Sequence, residues 1–347
     1  MHGQPSVAAL AAVAAILSGS ANAAAPVHRA LNYHVTRTVV LGLPDRWDYV
    51  QFDAPSHRVY VAHGDHVTVV DSEDGNIVGQ VGSFPGGTHG IAIVTATGRG
   101  YTDDGRAGMA ASFDLATLKV EKMIKAEEDA DGIVFDPASG NVFVINGDSN
   151  NLTVIDPLTD AAIATIAAGG KLEFAAAGGN GKLYVDGEQK REIVRIDTRT
   201  NQVDAHWPIA NCESPHGLAI DRETHRLFAS CVNGVLVVVN ADDGRTVATL
   251  PIGLGTDTAA FDSKRKRIFS SNGKDGTLSV IEEKDANTFV AAGTIKTAVS
   301  ARTMAVDPVS GRIYLAAADV DPNAVPVNGR RPVIPGSLKL IFLDPAT

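Results

Sequence analysis

Short segments in which apolar and polar residues alternate recur along the chain at a spacing of about 42 residues. Each copy opens with an apolar run such as DYVQFD (48–53) and continues with an alternating segment such as RVYVA (58–62) or NVFVI (141–145). A third segment, such as LTVID (152–156), and a weaker fourth complete the copy. Alternation of β-branched residues between Asp, Gly, Asn and Pro is typical of strands joined by tight turns. The pattern therefore predicts an all-β chain built of four-stranded propeller blades.

Counting the strand segments predicts how such a ring closes. The last copy supplies strands at 302–307, 312–316 and 338–343 and then lacks a fourth. The segment TRTVVL (36–41) precedes the first full copy and has no partner within it. Pairing it with the last copy would remove an exposed sheet edge. We predict a single domain over 36–347, a seven-bladed β-propeller whose last blade is closed by the N-terminal strand.

The first residues have the features of an export signal. An apolar stretch over 7–17 is followed by the small-residue site Ala21-Asn22-Ala23. The stretch is too short to span a bilayer, and no later segment is apolar and long enough to do so. We predict a signal peptide over 1–23, a short arm over 24–35 and a periplasmic or secreted protein without a membrane span.

The two cysteines of the chain lie in one repeat. Cys212 precedes the strand that begins near His216, and Cys231 ends the next strand, which folds back on the first. Exported proteins meet an oxidising compartment, so a disulfide is expected, although two unpaired thiols are the alternative. A bridge would close a loop of roughly twenty residues and contribute on the order of 3 kcal/mol.

One position opens the first strand of every repeat and never carries an apolar residue. Its seven occupants are Asp48, His89, Asp131, Glu173, His216, Asp257 and Arg302. Innermost propeller strands bring their first side chains toward the axis, so these residues are expected to form a ring. With both imidazoles neutral the ring has a formal charge of −3 and favours a cation, protons or a positively charged ligand.

The ring offers a ligand set for a divalent metal ion. His89, Asp131, Glu173 and His216 come from adjacent blades, and Asp257 follows them. Imidazole and carboxylate ligands suit Zn, Mn, Fe or Ni, and Ca less well. A binding site without chemistry is one interpretation. A ring that only solvates the mouth of a channel is another.

A metal-dependent hydrolase or lyase is an alternative function for the same residues. Glu173 or His216 would act as the general base, and Arg302 would orient an anionic substrate group. Arg302 stands between Asp257 and Asp48 around the ring. It therefore either forms an ion pair with them or holds a carboxylate or phosphate through two hydrogen bonds.

Three further residues beside the ring are candidate ligand contacts. His63 and His66 fall in a second-to-third-strand loop, of which Asp103-Asp104-Gly105 is the counterpart in the next repeat. They add ligands from above the ring, or they belong to an exposed turn. Trp47, with Tyr49 and Phe174, flanks the ring and either stacks on an organic ligand or packs within a blade. Asp48 and Arg302 are the polar ring residues expected to contact such a ligand.

Charge and motifs narrow the classes of partner. The chain has 30 basic and 40 acidic residues, a formal charge of −10, which argues against general nucleic-acid binding. The dense basic run 264–267 falls in a turn and is expected to be a solvated hairpin tip. Nucleotide-binding and serine-hydrolase motifs are missing. A small molecule or a metal ion is the expected partner, with a protein partner possible through the long insertion 319–336.

The repeats resemble a known family. FDPASGNVFVINGDSNNLTVID (135–156) and VDPVSGRIYLAAAD (306–319) resemble the exported YVTN-type propeller repeats. The series THG (88–90), ADG (130–132) and CESPHGLAID (212–221) looks like the YncE-like branch. The resemblance implies a seven-bladed periplasmic or secreted propeller. A YncE-like member also implies DNA binding, against which the acidic balance of this chain argues.

Overall fold

The computed structural model describes residues 33–325 and 331–346, together with Met1 and Gly3. Within these residues the chain forms seven sheets of four antiparallel strands each. Six sheets follow the chain order from the innermost strand outward. The seventh has the order β1-β28-β27-β26, so its outermost strand comes from the start of the domain. The predicted seven-bladed propeller is confirmed.

The blades are numbered 1–7 in chain order. The innermost strands are β2 (Val50–Asp53), β6 (Ile91–Val94), β10 (Ala130–Asp136), β14 (Leu172–Ala177), β18 (Pro215–Asp221), β22 (Thr256–Asp262) and β26 (Thr303–Val306). The second strands are β3 (Arg58–His63), β7 (Arg99–Asp104), β11 (Asn141–Asn146), β15 (Lys182–Gly187), β19 (Arg226–Cys231), β23 (Arg267–Asn272) and β27 (Ile313–Ala317). The third strands are β4 (His66–Asp71), β8 (Met109–Asp114), β12 (Asn151–Asp156), β16 (Glu192–Asp197), β20 (Val235–Asn240), β24 (Thr277–Asp285) and β28 (Lys339–Pro345). The outer strands are β5 (Ile77–Val81), β9 (Val120–Lys125), β13 (Ala161–Ala167), β17 (Gln202–Pro208), β21 (Thr246–Pro251), β25 (Thr288–Lys296) and β1 (Tyr33–Val40). Two 3-10 turns, Thr95–Thr97 and Gly105–Ala107, join strands of blade 2.

The core lies between neighbouring blades rather than inside any one of them. The second strand of each blade carries one large aromatic residue at its centre, and all seven are almost fully buried: Tyr60, Tyr101, Phe143, Tyr184, Phe228, Phe269 and Tyr314. The Tyr184 hydroxyl donates a hydrogen bond of 2.9 Å to the Ala241 carbonyl in blade 5. Because a single sheet is too thin to bury such side chains, each blade depends on the next for its stability.

The ring closes by pairing the two ends of the domain. β1 runs antiparallel to β28 from the pair Tyr33 and Pro345 to the pair Val40 and Lys339. Arg312 holds this blade to its neighbour, since Nε lies 2.6 Å from Asp344 Oδ1 and Nη1 donates to the Ser72 carbonyl of blade 1 at 2.7 Å. The predicted closing strand is confirmed.

The predicted disulfide is confirmed. Cys212 and Cys231 are bonded, with their Cα atoms 5.4 Å apart, and both side chains are buried. The bond ties the loop that enters β18 to the end of β19. This loop leads directly into the ring position of blade 5.

The basic run 264–267 lies in the turn between β22 and β23. The Arg265 guanidinium pairs with Asp262 at 2.9 Å and donates to the Ser310 carbonyl of blade 7 at 2.6 Å. Lys266 Nζ lies 2.9 Å from Asp221 Oδ2 in blade 5. At least these two basic side chains are therefore used in contacts between blades.

The insertion 319–336 joins the last two strands of blade 7, and its residues 326–330 lie outside the described chain. At its base Val320 and Val333 form an isolated β-bridge. The Asp45 carboxylate accepts hydrogen bonds from the Gly336 and Leu338 amides at 2.6 and 3.0 Å. The base of the insertion is thus held against the segment that enters blade 1. Its role in binding a protein stays a prediction.

Among the described residues there is no helix of the length and apolar character that a membrane crossing requires. The predicted signal peptide lies outside the described residues except for Met1 and Gly3.

Candidate metal centre

Six of the seven ring residues fall into two groups, each of two carboxylates and one histidine. Asp48, His89 and Asp131 from blades 1–3 form the His89 group. Glu173, His216 and Asp257 from blades 4–6 form the His216 group. In each group one possible ligand atom per residue lies within 4.8 Å of the others, and the residues are partly buried. Either grouping could hold a metal ion. The continuous arc from His89 to His216 that the sequence suggests is thus divided between Asp131 and Glu173.

The imidazole of His216 faces two carboxylates. Its buried Nδ1 lies 3.2 Å from Glu173 Oε1 and 3.8 Å from Asp257 Oδ1, and it forms an ion pair with Glu173 when the imidazole is protonated. On the other side of the imidazole, Nε2 lies 3.4 Å from Ser214 Oγ and 3.9 Å from Glu188 Oε1. The buried nitrogen of His216 therefore points between two acidic oxygens.

The imidazole of His89 is held on both sides. Its Nδ1 lies 2.9 Å from Asp103 Oδ1, and the fully buried Asp103 also accepts a hydrogen bond of 2.6 Å from the Gly90 amide. Arg46 Nη2 lies 3.1 Å from His89 Nε2. Because Arg46 is exposed, it can donate to the neutral imidazole and turn away from the protonated one. A Cβ at Gly105 would lie 2.7 Å from His89 Cε1, so this position has to be glycine.

Arg302, the seventh ring residue, forms an ion pair. Its Nε lies 2.7 Å from Asp257 Oδ2, and its Nη2 donates to the Trp47 carbonyl at 2.7 Å. The guanidinium carbon stands 5.0 Å from the centre of the Trp47 ring, a cation–π contact. Trp47 is 5% exposed and belongs to the core between blades 7 and 1. In this arrangement Trp47 packs within the structure and supports Arg302.

Two aromatic residues meet beneath the ring. Tyr49 follows Asp48 in blade 1, and Phe174 follows Glu173 in blade 4. Their ring centres lie 4.8 Å apart at an interplanar angle of 41°. Blades 1 and 4 are not neighbours in the ring, so this contact spans the axis. The polar residues therefore line the mouth of the channel above an aromatic contact.

Burial and crowding of like charges alter the protonation of the ring. Burial raises the pKa of Asp48 to about 7, against the lowering effect of Arg302. Burial and the neighbouring Glu173 carboxylate raise the pKa of Asp131 well above its usual value. Burial lowers the pKa of His216, but the nearby carboxylates, led by Glu173, raise it more, to about 9. The ring consequently retains protons near neutral pH, and a divalent cation would have to displace them.

Burial and ionic contacts also alter the pKa values of His89 and its partner Asp103. Burial lowers the pKa of His89, and Asp103 raises it more, to about 9. Burial raises the pKa of Asp103 to about 6, although its hydrogen bond to His89 acts in the opposite direction. A protonated His89 beside an ionised Asp103 is the state expected at neutral pH.

His63 and His66 lie in strands of blade 1 rather than in an exposed turn. His63 is fully buried, with Nδ1 2.8 Å from Thr68 Oγ1 and Nε2 2.8 Å from the Pro44 carbonyl oxygen. His66 Nδ1 lies 2.8 Å from Asp65 Oδ1. The exposed-turn interpretation is wrong because the strands β3 and β4 continue through both residues. Neither histidine belongs to the two groups found among the described residues.

Several neighbours of the ring were not found from the sequence. Asp103 and Asp104 extend β7 and are buried, although the sequence suggests a loop there. Asp186 takes the place of Asp103 in β15. It is fully buried, neither of its carboxylate oxygens has a hydrogen-bonding partner, and burial raises its pKa well above the usual value. The charges of His216 and Glu173 also act on this pKa, the first lowering it and the second raising it. The sequence offered one signal for Asp186, namely a carboxylate near the end of a second strand whose preceding positions are largely apolar.

Comparison with known proteins shows the fold alone. No protein-family model matches the chain, and no curated protein matches it. Among solved structures, hydrazine synthase from Kuenenia stuttgartiensis is similar, with a TM-score of 0.67. The match covers 78% of this chain and 92% of that chain at 13% sequence identity. At this identity the likeness carries the propeller architecture and no residue of the site.

Proposed function

We propose that this chain is an exported β-propeller that binds a divalent metal ion through Glu173, His216 and Asp257. The observation that carries the proposal is the buried His216 Nδ1, which lies 3.2 Å and 3.8 Å from a carboxylate oxygen of each neighbour. One possible ligand atom from each of the three residues lies within 4.8 Å of the others, and a divalent cation between them would replace the proton that His216 holds. One imidazole and two carboxylates suit Zn, Mn or Fe.

The surroundings of His216 fit a metal ligand. Ser214 and Glu188 lie on its Nε2 side, where oxygen atoms can hold the second ring nitrogen in its protonated form while Nδ1 binds metal. The predicted ligands His89 and Asp131 belong to the other group. Because His89 Nδ1 is already held by the fully buried Asp103, we assign the metal to the His216 group.

The export part of the proposal has its own support. The Cys212–Cys231 disulfide is compatible with an oxidising compartment, and the repeats resemble the exported YncE-like propellers. DNA binding, which that resemblance also implies, is not included because of the formal charge of −10.

The test is a calorimetric titration of the metal-free protein with Mn²⁺ and Zn²⁺, with metal content measured separately. We expect His216→Ala to weaken binding by about a hundredfold or more, because it removes the only nitrogen ligand of the group. His225→Ala is the matched control, since His225 also contacts a carboxylate, Asp242 at 2.9 Å, but lies in a turn on the opposite face. Wild-type affinity in His216→Ala would contradict the proposal.

A metal-dependent hydrolase or lyase is the second candidate, and Arg302 favours it. Its guanidinium lies next to the His216 group through Asp257, where it would orient an anionic substrate group. Burial also raises the pKa of Glu173, as a proton-transferring carboxyl requires. A bound metal would polarise a substrate carbonyl or activate water.

A panel of lactones and esters, assayed with added Mn²⁺, Zn²⁺ or Ca²⁺, separates binding from catalysis. If the chain is an enzyme, Arg302→Ala should lower turnover while the metal content is retained. Metal binding without turnover on any member of the panel would leave the binding function alone.

A further inference from the structure

We infer that a cavity beside the His216 group binds a small polyhydroxylated carboxylate, that is, a sugar acid. The cavity measures about 670 Å³ and lies among the loops of blades 3–5. This volume is within the range of ordinary small-molecule sites. The inference goes beyond the proposed function and does not need a bound metal, because the cavity borders the Nε2 side of His216, whereas the proposed metal ion would lie at Nδ1.

Eight of the nine residues that line the cavity have polar or charged side chains. They come from loops joining second to third strands and from loops that enter the next blade, all on the face that carries the ring. Val232 is the one apolar lining residue, and no aromatic side chain of the described chain lines the cavity. A nucleobase or another flat aromatic ligand would find no stacking surface there. An oxygen-rich ligand would find many hydrogen-bonding groups.

A chain of contacts joins the cavity to the proposed metal ligand. Lys171 Nζ lies 2.9 Å from Glu188 Oε2, and Ser214 Oγ donates to Glu188 Oε1 at 2.9 Å. Ser214 Oγ is in turn 3.4 Å from His216 Nε2. Cys212, two residues before Ser214, is fixed by the disulfide, so this wall is held in place. A molecule in the cavity therefore lies next to the histidine of the His216 group.

Arg191 supplies the charge that selects a carboxylate. It is exposed at the cavity wall and pairs with no carboxylate in the part of the chain that the structure describes. Its backbone is left-handed, with φ of 56°, at the turn position where blades 2, 5 and 6 have Gly108, Gly234 and Gly276. Arginine is strained there and glycine is not. A guanidinium held at this place can bind a carboxylate through two hydrogen bonds.

The remaining lining groups suit hydroxyls. Asp148 and Glu213 are exposed and present carboxylate oxygens, which accept hydrogen bonds from hydroxyl groups. Lys171 and the side-chain amides of the wall supply donors. The combination of one unpaired guanidinium with several acceptors favours a ligand that has one carboxylate and several hydroxyls.

The test is calorimetry with D-glucuronate as the probe and D-glucose as its neutral counterpart, each with and without Mn²⁺. We expect glucuronate to bind more tightly than glucose, and Arg191→Gly to weaken glucuronate binding roughly ten- to hundredfold. Glycine suits the backbone at this position, so the variant should fold and melt no lower than wild type. Arg199→Ala, which removes an arginine from a turn on the opposite face, should bind as wild type does.

The results separate this inference from the proposed function. Mn²⁺ binding without glucuronate binding would overturn the sugar-acid site and leave the metal site intact. Glucuronate binding that needs Arg191 and is the same with and without Mn²⁺ would support the sugar-acid site, and the metal site would then be judged by the Mn²⁺ titration alone. Equal affinity for glucose and glucuronate, or an Arg191→Gly variant with wild-type affinity, would overturn the assignment of a carboxylate ligand.

Discussion

The His89 and His216 groups contain similar residue types, but the two imidazoles have different partners. His89 has a fully buried carboxylate, Asp103, on one nitrogen and the Arg46 guanidinium near the other. His216 has its buried Nδ1 between two carboxylates, 3.2 Å from the nearer one. The carboxylate that corresponds to Asp103 in blade 4, Asp186, has no hydrogen-bonding partner. His89 is thus held by a carboxylate from outside the ring, whereas Nδ1 of His216 faces only the carboxylates of its own group.

This difference shows that residue type alone does not identify a binding site. Each group contains the residue types of a metal site, and both histidines have a pKa raised to about 9. The hydrogen bonds that are already made decide which histidine is available. Four predictions test the comparison, and their expected effects decrease in the order in which they follow.

Removing the partner of His89 should have the largest effect. Asp103→Ala leaves a buried imidazole and the Gly90 amide without their acceptor, and we expect a loss of about 3–5 kcal/mol in the free energy of unfolding. Urea denaturation at pH 7 measures it. Asp103→Asn, which keeps an acceptor oxygen, should lose less. A loss below about 1 kcal/mol in Asp103→Ala would mean that the His89 half is not held by this pair.

The His89 pair should also make stability depend on pH. The pKa of His89 is about 9 in the folded protein against 6.5 in the unfolded chain, so its contribution is complete below pH 6.5 and is lost as the pH rises through 9. We expect metal-free protein to lose on the order of 2 kcal/mol from this group alone. The measurement is urea denaturation at pH 6 and pH 9.5. His89→Gln should show a smaller loss over this range, and an unchanged loss would assign the effect to His216.

Neutralising Asp186 should stabilise the metal-free protein. Its pKa in the folded state lies above the usual 3.8, so the cost of burying it is absent below that pH and grows as the pH rises. Asp186→Asn should therefore gain about 1–2 kcal/mol at pH 7 and nothing at pH 4, as measured by urea denaturation. A destabilised variant at pH 7 would show that this carboxylate has a partner after all.

Removing the arginine that lies beside His89 Nε2 should have the smallest effect, and the effect is on metal binding. Arg46→Ala removes the guanidinium near Nε2 and leaves Asp103 in place. We expect a weak metal-binding event at the His89 group in addition to the event seen in the wild type, whose own affinity should change by no more than about fivefold, because the arginine is exposed. Calorimetry with Mn²⁺ detects it, with Arg106→Ala as the control in a neighbouring turn. A strong second site would mean that the two halves are equivalent.

The fold was predictable because it follows from local sequence patterns and from the number of strand segments. The period-two alternation, the turn residues and the surplus strand at 36–41 define the blades and their closure, and the spacing of Cys212 and Cys231 led to the disulfide. The grouping of the ring was not predictable. It depends on contacts between strands and blades, such as Asp103 with His89 and Arg302 with Trp47, which no periodicity in the sequence records.

The pairing of β1 with β28 also sets a time for folding during synthesis. Thr36 of β1 bonds to Asp344, 308 residues later in the chain. At ordinary translation rates roughly 15 to 60 s separate the appearance of these two strands. For that interval β1 exposes an unpaired edge, which can pair with other chains. The last blade can therefore be completed only after nearly the whole domain has been synthesised.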